Sequence, residues 1–283
     1  MINYMKCSET NMDLIFQAFT IGFSDYIIKL NMPKDVFVNR FFGPEGNSLE
    51  HSHIALHGDK AVGVVLGGIK DYEGIKTMRC GTLAVHPEYR GKGVSQKLME
   101  LHREVAVENN CKQLFLEVIV GNDRAINFYK KLQYEKIHDL AYFSLTDLST
   151  LKNYFNPHIN IKEVNFVDLK NMIDIHKDYH INWQSDIDYV EKVETSLYYA
   201  AYEGENLVGY LCGNTMGKVN FLWTSKDYRL KGVGSALLGH FCNKITEPKL
   251  SITVPNNSLL EGFLKRIGFK RDAISQYEMY LTL

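Results

Sequence analysis

The 283-residue sequence predicts an α+β fold built twice in tandem. Three observations carry that prediction. A glycine-rich string around Arg90 recurs around Arg229, 139 positions on, and a second landmark keeps nearly the same spacing, with Phe128 answered by Phe263 135 positions later. Around each string, short apolar strands and helices of 3.6-residue period alternate in one order.

In the first copy, 11–42 reads as helical and is rich in aromatics (Phe16, Phe19, Phe23, Tyr26, Phe37, Phe41, Phe42), part of which must be core. Segment 49–85 holds the apolar runs His53-Ile54-Ala55-Leu56, Ala61-Val62-Gly63-Val64-Val65-Leu66 and Gly81-Thr82-Leu83-Ala84-Val85, broken by turn residues, which is a strand meander. Next, 94–109 carries a helical stripe of Val94, Leu98, Leu101, Val105 and Ala106. A strand follows over 113–120, then a helix over 122–132 with Asn122 as its cap. The second copy repeats the order through 197–223, 233–245, 250–254 and 257–267. Asp147, Ser149, Asn153, Asn156 and Pro157 interrupt the apolar pattern between the copies, so the domains are expected at 1–150 and 156–283.

Composition narrows the function. Basic residues number 32 and acidic 33, leaving no surplus that would favour a nucleic acid or a membrane surface as partner. No apolar run is long enough for a bilayer, and no basic-then-apolar leader opens the chain, so a cytoplasmic protein is expected. The five cysteines are scattered without a CxxC pair and read as reduced thiols. His176 and His180 share a helical spacing, but no third ligand follows, so no metal is expected.

The string Arg90-Gly91-Lys92-Gly93-Val94-Ser95 lies between a strand end and a helix start. The first turn of a helix leaves N–H groups unpaired under the positive end of the dipole, which makes an anion site. Glycines at its mouth let a phosphate approach the amides and accept positive φ, and Arg90 and Lys92 are expected to add charge at the rim. Neither GxxxxGK[ST] nor GxGxxG occurs here. The spacing that fits is RxxGxG or RxxGxA, and the chain thereby resembles the GNAT superfamily of N-acetyltransferases. The second copy, Arg229-Leu230-Lys231-Gly232-Val233-Gly234, matches in full, while the first ends in Ser95, small and hydroxylated.

The resemblance implies two GNAT-like domains, each a mixed, mostly antiparallel twisted sheet flanked by helices with a splayed acyl-CoA slot. It implies acetyl-CoA as cosubstrate, held by Leu83, Ala84 and Val85 along a strand edge, by Arg90, Gly91, Lys92, Gly93, Val94 and Ser95 at the loop, and by Asn122 and Tyr129. Arg229, Lys231, Gly232, Val233, Gly234 and Asn257 are their counterparts in the second copy.

Transfer to a primary amine by direct attack requires one proton to leave the ammonium and another to reach the thiolate. The resemblance makes Tyr129 the candidate acid and Glu117 the candidate base; Tyr89, Glu88 and His86 shape the loop. In the second copy Leu264 stands for Tyr129 and Ile252 for Glu117, while Asn257 is kept, so catalysis is expected in the first copy. Two alternatives stay open: catalysis in the second copy, and a non-catalytic acyl-CoA-binding or regulatory protein. The acceptor, a small amine or a protein N-terminus or lysine, and the choice between monomer and homodimer are not legible.

Overall fold

The computed structural model describes residues 1–176 and 179–283. The chain forms β1 (Ile2–Lys6), α1 (Met12–Gly22), α2 (Lys34–Phe41), β2 (Ser48–His57), β3 (Lys60–Tyr72), β4 (Ile75–Val85), α3 (Val94–Glu108), β5 (Gln113–Ile119), α4 (Asp123–Lys131) and β6 (Glu135–Leu145). It continues as α5 (Ser149–Lys152), β7 (Asn160–Glu163), α6 (Phe166–His176), α7 (Ile187–Glu191), β8 (Ser196–Glu203), β9 (Asn206–Asn214), β10 (Lys218–Thr224), α8 (Val233–Cys242), β11 (Leu250–Pro255), α9 (Ser258–Arg266) and β12 (Lys270–Thr282). The side chain of His176 lies outside the described residues, and with it the His176–His180 pair. All five cysteines are buried free thiols. Among the described residues no helix is long and apolar enough to cross a membrane.

The chain packs as two units, Met1–His138 with Gln276–Leu283, and Asp139–Ser275. In the first unit β1 to β4 pair antiparallel in sequence order, β5 joins β4 in parallel, and 276–282 of β12 closes the sheet antiparallel to β5. In the second, β7 to β10 repeat the meander, β11 joins β10 in parallel, and 140–145 of β6 pairs antiparallel with β11. The last strand of each sequence repeat thus completes the sheet of the other unit. The divisions at 1–150 and 156–283 follow the repeat; the packing units differ from them by this exchange. No local pattern signals it, because the partner that a strand finds far along the chain leaves no period in its own residues.

Helices on both faces explain why β3 is apolar without alternation. Ala61, Val64 and Leu66 join α1 and α2 in one core, through Ile15, Phe19, Phe37 and Phe41. Val62 and Val65 join α3 and α4 in another, through Leu98, Val105, Ile126 and Tyr129. Strands covered on both sides lose the polar-out half of their period. In the second unit Val208 and Leu211 of β9 pack with Leu237 and Phe241 of α8, and Tyr210 and Cys212 pack with Leu169 and Ile173 of α6.

The helix α3, which begins at the glycine-rich loop, carries an internal weakness. His102 is fully buried, and neither ring nitrogen has a hydrogen-bond partner among the described residues. Burial, helped by His53 and His51, drives its pKa down to about 3. The ring is therefore neutral in the folded chain and protonated in the unfolded chain below about pH 6.5, so stability falls as pH drops through that window. Between pH 7 and pH 5 the protein is expected to lose about 2 kcal/mol more than His102→Leu does, read from urea unfolding midpoints at the two pH values.

Candidate active site

A single extra residue opens the first unit. Register between β3 and β4 slips where Leu66 faces Thr82 and Gly67 faces Cys80, leaving Gly81 unpaired as a bulge. The parallel ladder between β4 and β5 runs from Thr77–Gln113 to Cys80–Leu116 and goes no further. Beyond it, Leu83, Ala84 and Val85 keep their partners on β3, and their other edge parts from Glu117, Val118 and Ile119. A strand edge released in this way can receive an extended, amide-bearing ligand as an added strand. The bulge position must be glycine here: a methyl group on Gly81 would collide with the side chain of Asn47, which is buried and anchored through Nδ2 to the Phe41 carbonyl at 2.8 Å.

The slot leads to the loop before α3. Pro87–Tyr89 form a short 3-10 turn, and Gly91 and Gly93 follow with φ of +73° and +81°, Gly93 capping the helix. A methyl group at either glycine would meet nothing within 4 Å, so the chain leaves the space beside both glycines at the start of α3 unfilled. Lys92 lies over the Tyr89 ring at 5.2 Å, and the Tyr89 hydroxyl is 2.7 Å from His57 Nδ1. Val94 is buried beneath the loop, and Ser95 sits partly exposed in the first helical turn.

Arg90 differs from its expected place on the rim. Its guanidinium forms a two-pronged ion pair with Asp25 at 2.5 and 2.6 Å, donates from Nη2 to the Gly22 carbonyl at 3.0 Å, and donates from Nε to the Val85 carbonyl at 3.1 Å. The hydrogen bonds from Arg90 hold the Asp25 carboxyl below its ordinary range. Planar, five-donor geometry suits arginine to this anchoring role, in which its charge is already matched. The Asn122 side chain caps α4 by accepting from the Ala125 N–H at 3.3 Å, and its nearness to Tyr26, the residue after Asp25, works against the rise that burial gives the Tyr26 pKa. The segment after α1 therefore grips the loop on one side and the start of α4 on the other.

Tyr129 lies on α4, buried, with Tyr134 at 5.9 Å between ring centroids. Burial pushes its phenol pKa well up, with Cys80, Tyr134 and Tyr26 adding to the rise. No described residue hydrogen-bonds its hydroxyl, so the proton is not engaged elsewhere. Glu117 is one residue beyond the last β4–β5 pair, 6% exposed in its side chain, and takes a hydrogen bond from Arg79 Nε at 2.8 Å. Burial raises its pKa, Glu278 and Glu45 push the same way, and Arg79 pulls against them. The glutamate that pairs with Arg79 from the other side, Glu45, escaped sequence reading because nothing in its neighbourhood marks it.

The second unit has the same backbone and different occupants. Its bulge falls at Asn220, and β10 pairs β11 only at Lys218–Ser251 and Val219–Ile252. Gly232 caps α8 with φ +81°, but Leu230 takes φ +63° where the first copy has Gly91. A methyl group on Gly232 would run into the Tyr154 hydroxyl and come within 3.3 Å of Asn156 Nδ2, which donates to the Lys231 carbonyl at 2.9 Å. On Gly234 it would come within 3.0 Å of the Phe263 ring. Asn257 caps α9 through the Leu260 N–H at 3.0 Å. The register corrects the expected counterpart of Glu117: Val219 pairs Ile252 as Cys80 pairs Leu116, so buried Thr253, one residue on, stands at the Glu117 position. Val233, Ile252 and Leu264 are buried in one apolar core, leaving Arg229 and Lys231 at a mouth already covered by the chain itself.

Comparison with known proteins agrees with this architecture. The sequence model of the acetyltransferase (GNAT) family matches residues 17–134 and 168–269. The chain is 28% identical to N-alpha-acetyltransferase 30 of Schizosaccharomyces pombe over 131 residues, 46% of this chain and 85% of that one. It is 46% identical to the thialysine N-epsilon-acetyltransferase of Bos taurus over 48 residues, 17% of this chain and 28% of the relative. An acetyltransferase of Sodalis glossinidius matches at 33% over 76 residues, 27% of this chain and 51% of its own length, so the chain spans about half of that relative. Among solved structures, a tandem GNAT protein from the clavulanic acid biosynthesis pathway superposes over 100% of this chain and 98% of its own, with TM-score 0.72 and 14% identity. The fold is therefore that of two tandem GNAT domains.

The bulge supplies a direct test of this geometry. Gly81→Ala is expected to destabilise the protein by about 1–3 kcal/mol by driving Asn47 from its anchored position, measured by urea unfolding; Gly262→Ala, inside α9 where a methyl meets nothing within 4 Å, is the contrasting control and is expected to stabilise by about 0.5–1 kcal/mol.

Proposed function

This chain belongs to the acetyltransferase (GNAT) family, and from that premise we propose that its first unit transfers an acetyl group from acetyl-CoA to a primary amine. The observation that carries the proposal is the contrast between the two loops: Gly91 and Gly93 face open space, whereas Gly232 is covered by Tyr154 and Asn156. An anion site needs room above the amides, and only the first loop keeps it.

The residues of the first unit fit acetyl-CoA. The left-handed glycines and the amides from Val94 and Ser95 would receive the pyrophosphate, with Lys92 at the rim and Arg90 bracing the loop from behind. The edge of β4 at Leu83, Ala84 and Val85 would receive the pantetheine amides; the Val85 carbonyl is already engaged by Arg90 Nε. Asn122 would stand at the α4 side of the slot. The cosubstrate supplies an activated acetyl thioester.

The chain's own part in the chemistry is proton management. Tyr129, kept protonated by burial and without a competing hydrogen bond, is the proposed acid for the departing sulfur. Glu117 is the proposed base for the acceptor ammonium. Its raised pKa brings it nearer neutrality than an ordinary glutamate, which favours proton acceptance at physiological pH. The relatives' names, an N-alpha- and an N-epsilon-acetyltransferase, suggest peptide α-amines and lysine-like side chains as the first acceptors to try. Catalysis in the second unit is disfavoured by Leu264 at the Tyr129 position, which carries no proton to give, and by Thr253 at the Glu117 position, which offers no carboxylate.

Titration calorimetry with acetyl-CoA tests the binding half. One site per chain is expected, lost in Gly93→Trp and kept in Tyr154→Trp; binding that survives Gly93→Trp would move the site to the second unit. Against a panel of free-amine peptides, lysine and thialysine, Tyr129→Phe is expected to lower kcat about 100-fold or more with the acetyl-CoA Kd unchanged. Undiminished turnover in Tyr129→Phe would remove the acid role.

A further inference from the structure

Four charged side chains form a line through the first unit. Arg40 Nε lies 3.3 Å from Glu45 Oε1, Arg79 Nη1 lies 2.8 Å from Glu45 Oε2, and Arg79 Nε lies 2.8 Å from Glu117 Oε2. The inner three are almost wholly out of water, with side-chain exposures of 3% for Glu45, 4% for Arg79 and 6% for Glu117. The guanidinium fork is rigid and planar, so holding one prong on Glu45 fixes the direction of the other. Glu45 is itself held: its N–H donates to the Arg40 carbonyl at 3.2 Å, and Gly46 follows with φ +77° and its carbonyl pressed against Gly68 on β3.

The second copy shows what the line is for. At the same 139-residue offset, Lys218 stands for Arg79 and Gln184 for Glu45, and Lys218 Nζ donates to the Gln184 carbonyl at 2.6 Å. The tie between loop and strand survives there, so a fold-stabilising role alone requires neither guanidinium nor carboxylate. What the second copy lacks is an acid at the end of the line: Val219 pairs Ile252 as Cys80 pairs Leu116, so Thr253 stands at the position of Glu117.

We propose that Arg79 and Glu45 are positioning residues for the transfer reaction: Arg79, fixed by Glu45, holds the Glu117 carboxylate charged and in place where β4 and β5 part. The inference rests on the reading of Glu117 as base. Removing Arg79 would leave Glu117 buried beside Glu45 and Glu278, with Cys80, Tyr72 and Tyr280 as its other titratable neighbours and no cation against it among the groups named. A carboxyl in that setting takes up a proton near neutrality and stops accepting one from substrate. Removing the Glu45 charge acts in the opposite sense, because it takes away a like charge near Glu117.

The test titrates Glu117 directly by carbon-13 NMR of protein labelled at the glutamate carboxyls, with Glu117→Gln identifying the signal. Arg79→Met is expected to raise the Glu117 midpoint by about one pH unit or more, Arg79→Lys to restore part of that change, and Glu45→Gln to lower the midpoint. The acidic limb of kcat/KM for the best acceptor of the panel should move by the same amounts, while acetyl-CoA affinity stays within about two-fold. An unmoved midpoint in folded Arg79→Lys or Glu45→Gln overturns the proposal, and those two variants keep it testable if Arg79→Met does not fold. A Glu117→Gln enzyme of full activity while the midpoints still move would instead overturn the base role on which it rests.

Discussion

The site depends on one constraint: the parallel pairing of β4 with β5 stops at Cys80 and Leu116. A backbone that pairs to its end has no amides to offer, whereas one released by a bulge keeps its edge while its other side stays tied to β3. The release also decides what lies around it. Glu117 becomes the first residue past the fork, α4 brings Tyr129 to the core below, and the glycine loop follows where β4 ends. Gly81 makes the fork possible because the Asn47 side chain occupies the space a Cβ would need.

The same fork exists in the second unit, yet its surroundings have been filled. Leu264 joins the core of α8, Phe263 packs against Gly234, and the Tyr154 hydroxyl lies over Gly232. An apolar filling costs nothing in desolvation, whereas the first unit keeps Arg79, Glu45 and Glu117 buried, an arrangement whose desolvation offsets much of its Coulomb attraction. Retaining three buried charges where the sister copy manages with a lysine on a carbonyl is better explained by chemistry than by stability. Arg90 makes the complementary point. Its charge is matched by Asp25, while Arg90 ties the segment after α1 to the strand end.

Much of this was legible because it is local. Element order, the helix caps at Asn122 and Asn257, the left-handed glycines and the duplication follow from periodicity, capping chemistry and spacing, which neighbouring residues settle among themselves. The loss of the tyrosine at Leu264 could also be read directly, whereas sequence spacing sets the counterpart of Glu117 one residue off, at Ile252 instead of Thr253, because only the strand pairing fixes that register. The exchange of last strands, by contrast, left no trace, since a strand's own residues do not encode which distant strand it pairs with. Glu45 sits 34 residues from Arg79 and 72 from Glu117, and a partnership at that range has no sequence period.

By itself, then, the sequence determined which backbone would be built, that it would be built twice, and which copy holds Tyr129 and Glu117. Only the tertiary structure decided which loop is open, where the charge of Arg90 goes, and what stands beside Glu117. The physical reason is distance along the chain. Strand, helix and cap are fixed by residues two to four apart, whereas Tyr154 over Gly232, Asp25 on Arg90 and Glu45 on Arg79 bring together groups separated by tens of residues, and folding alone determines which of them meet.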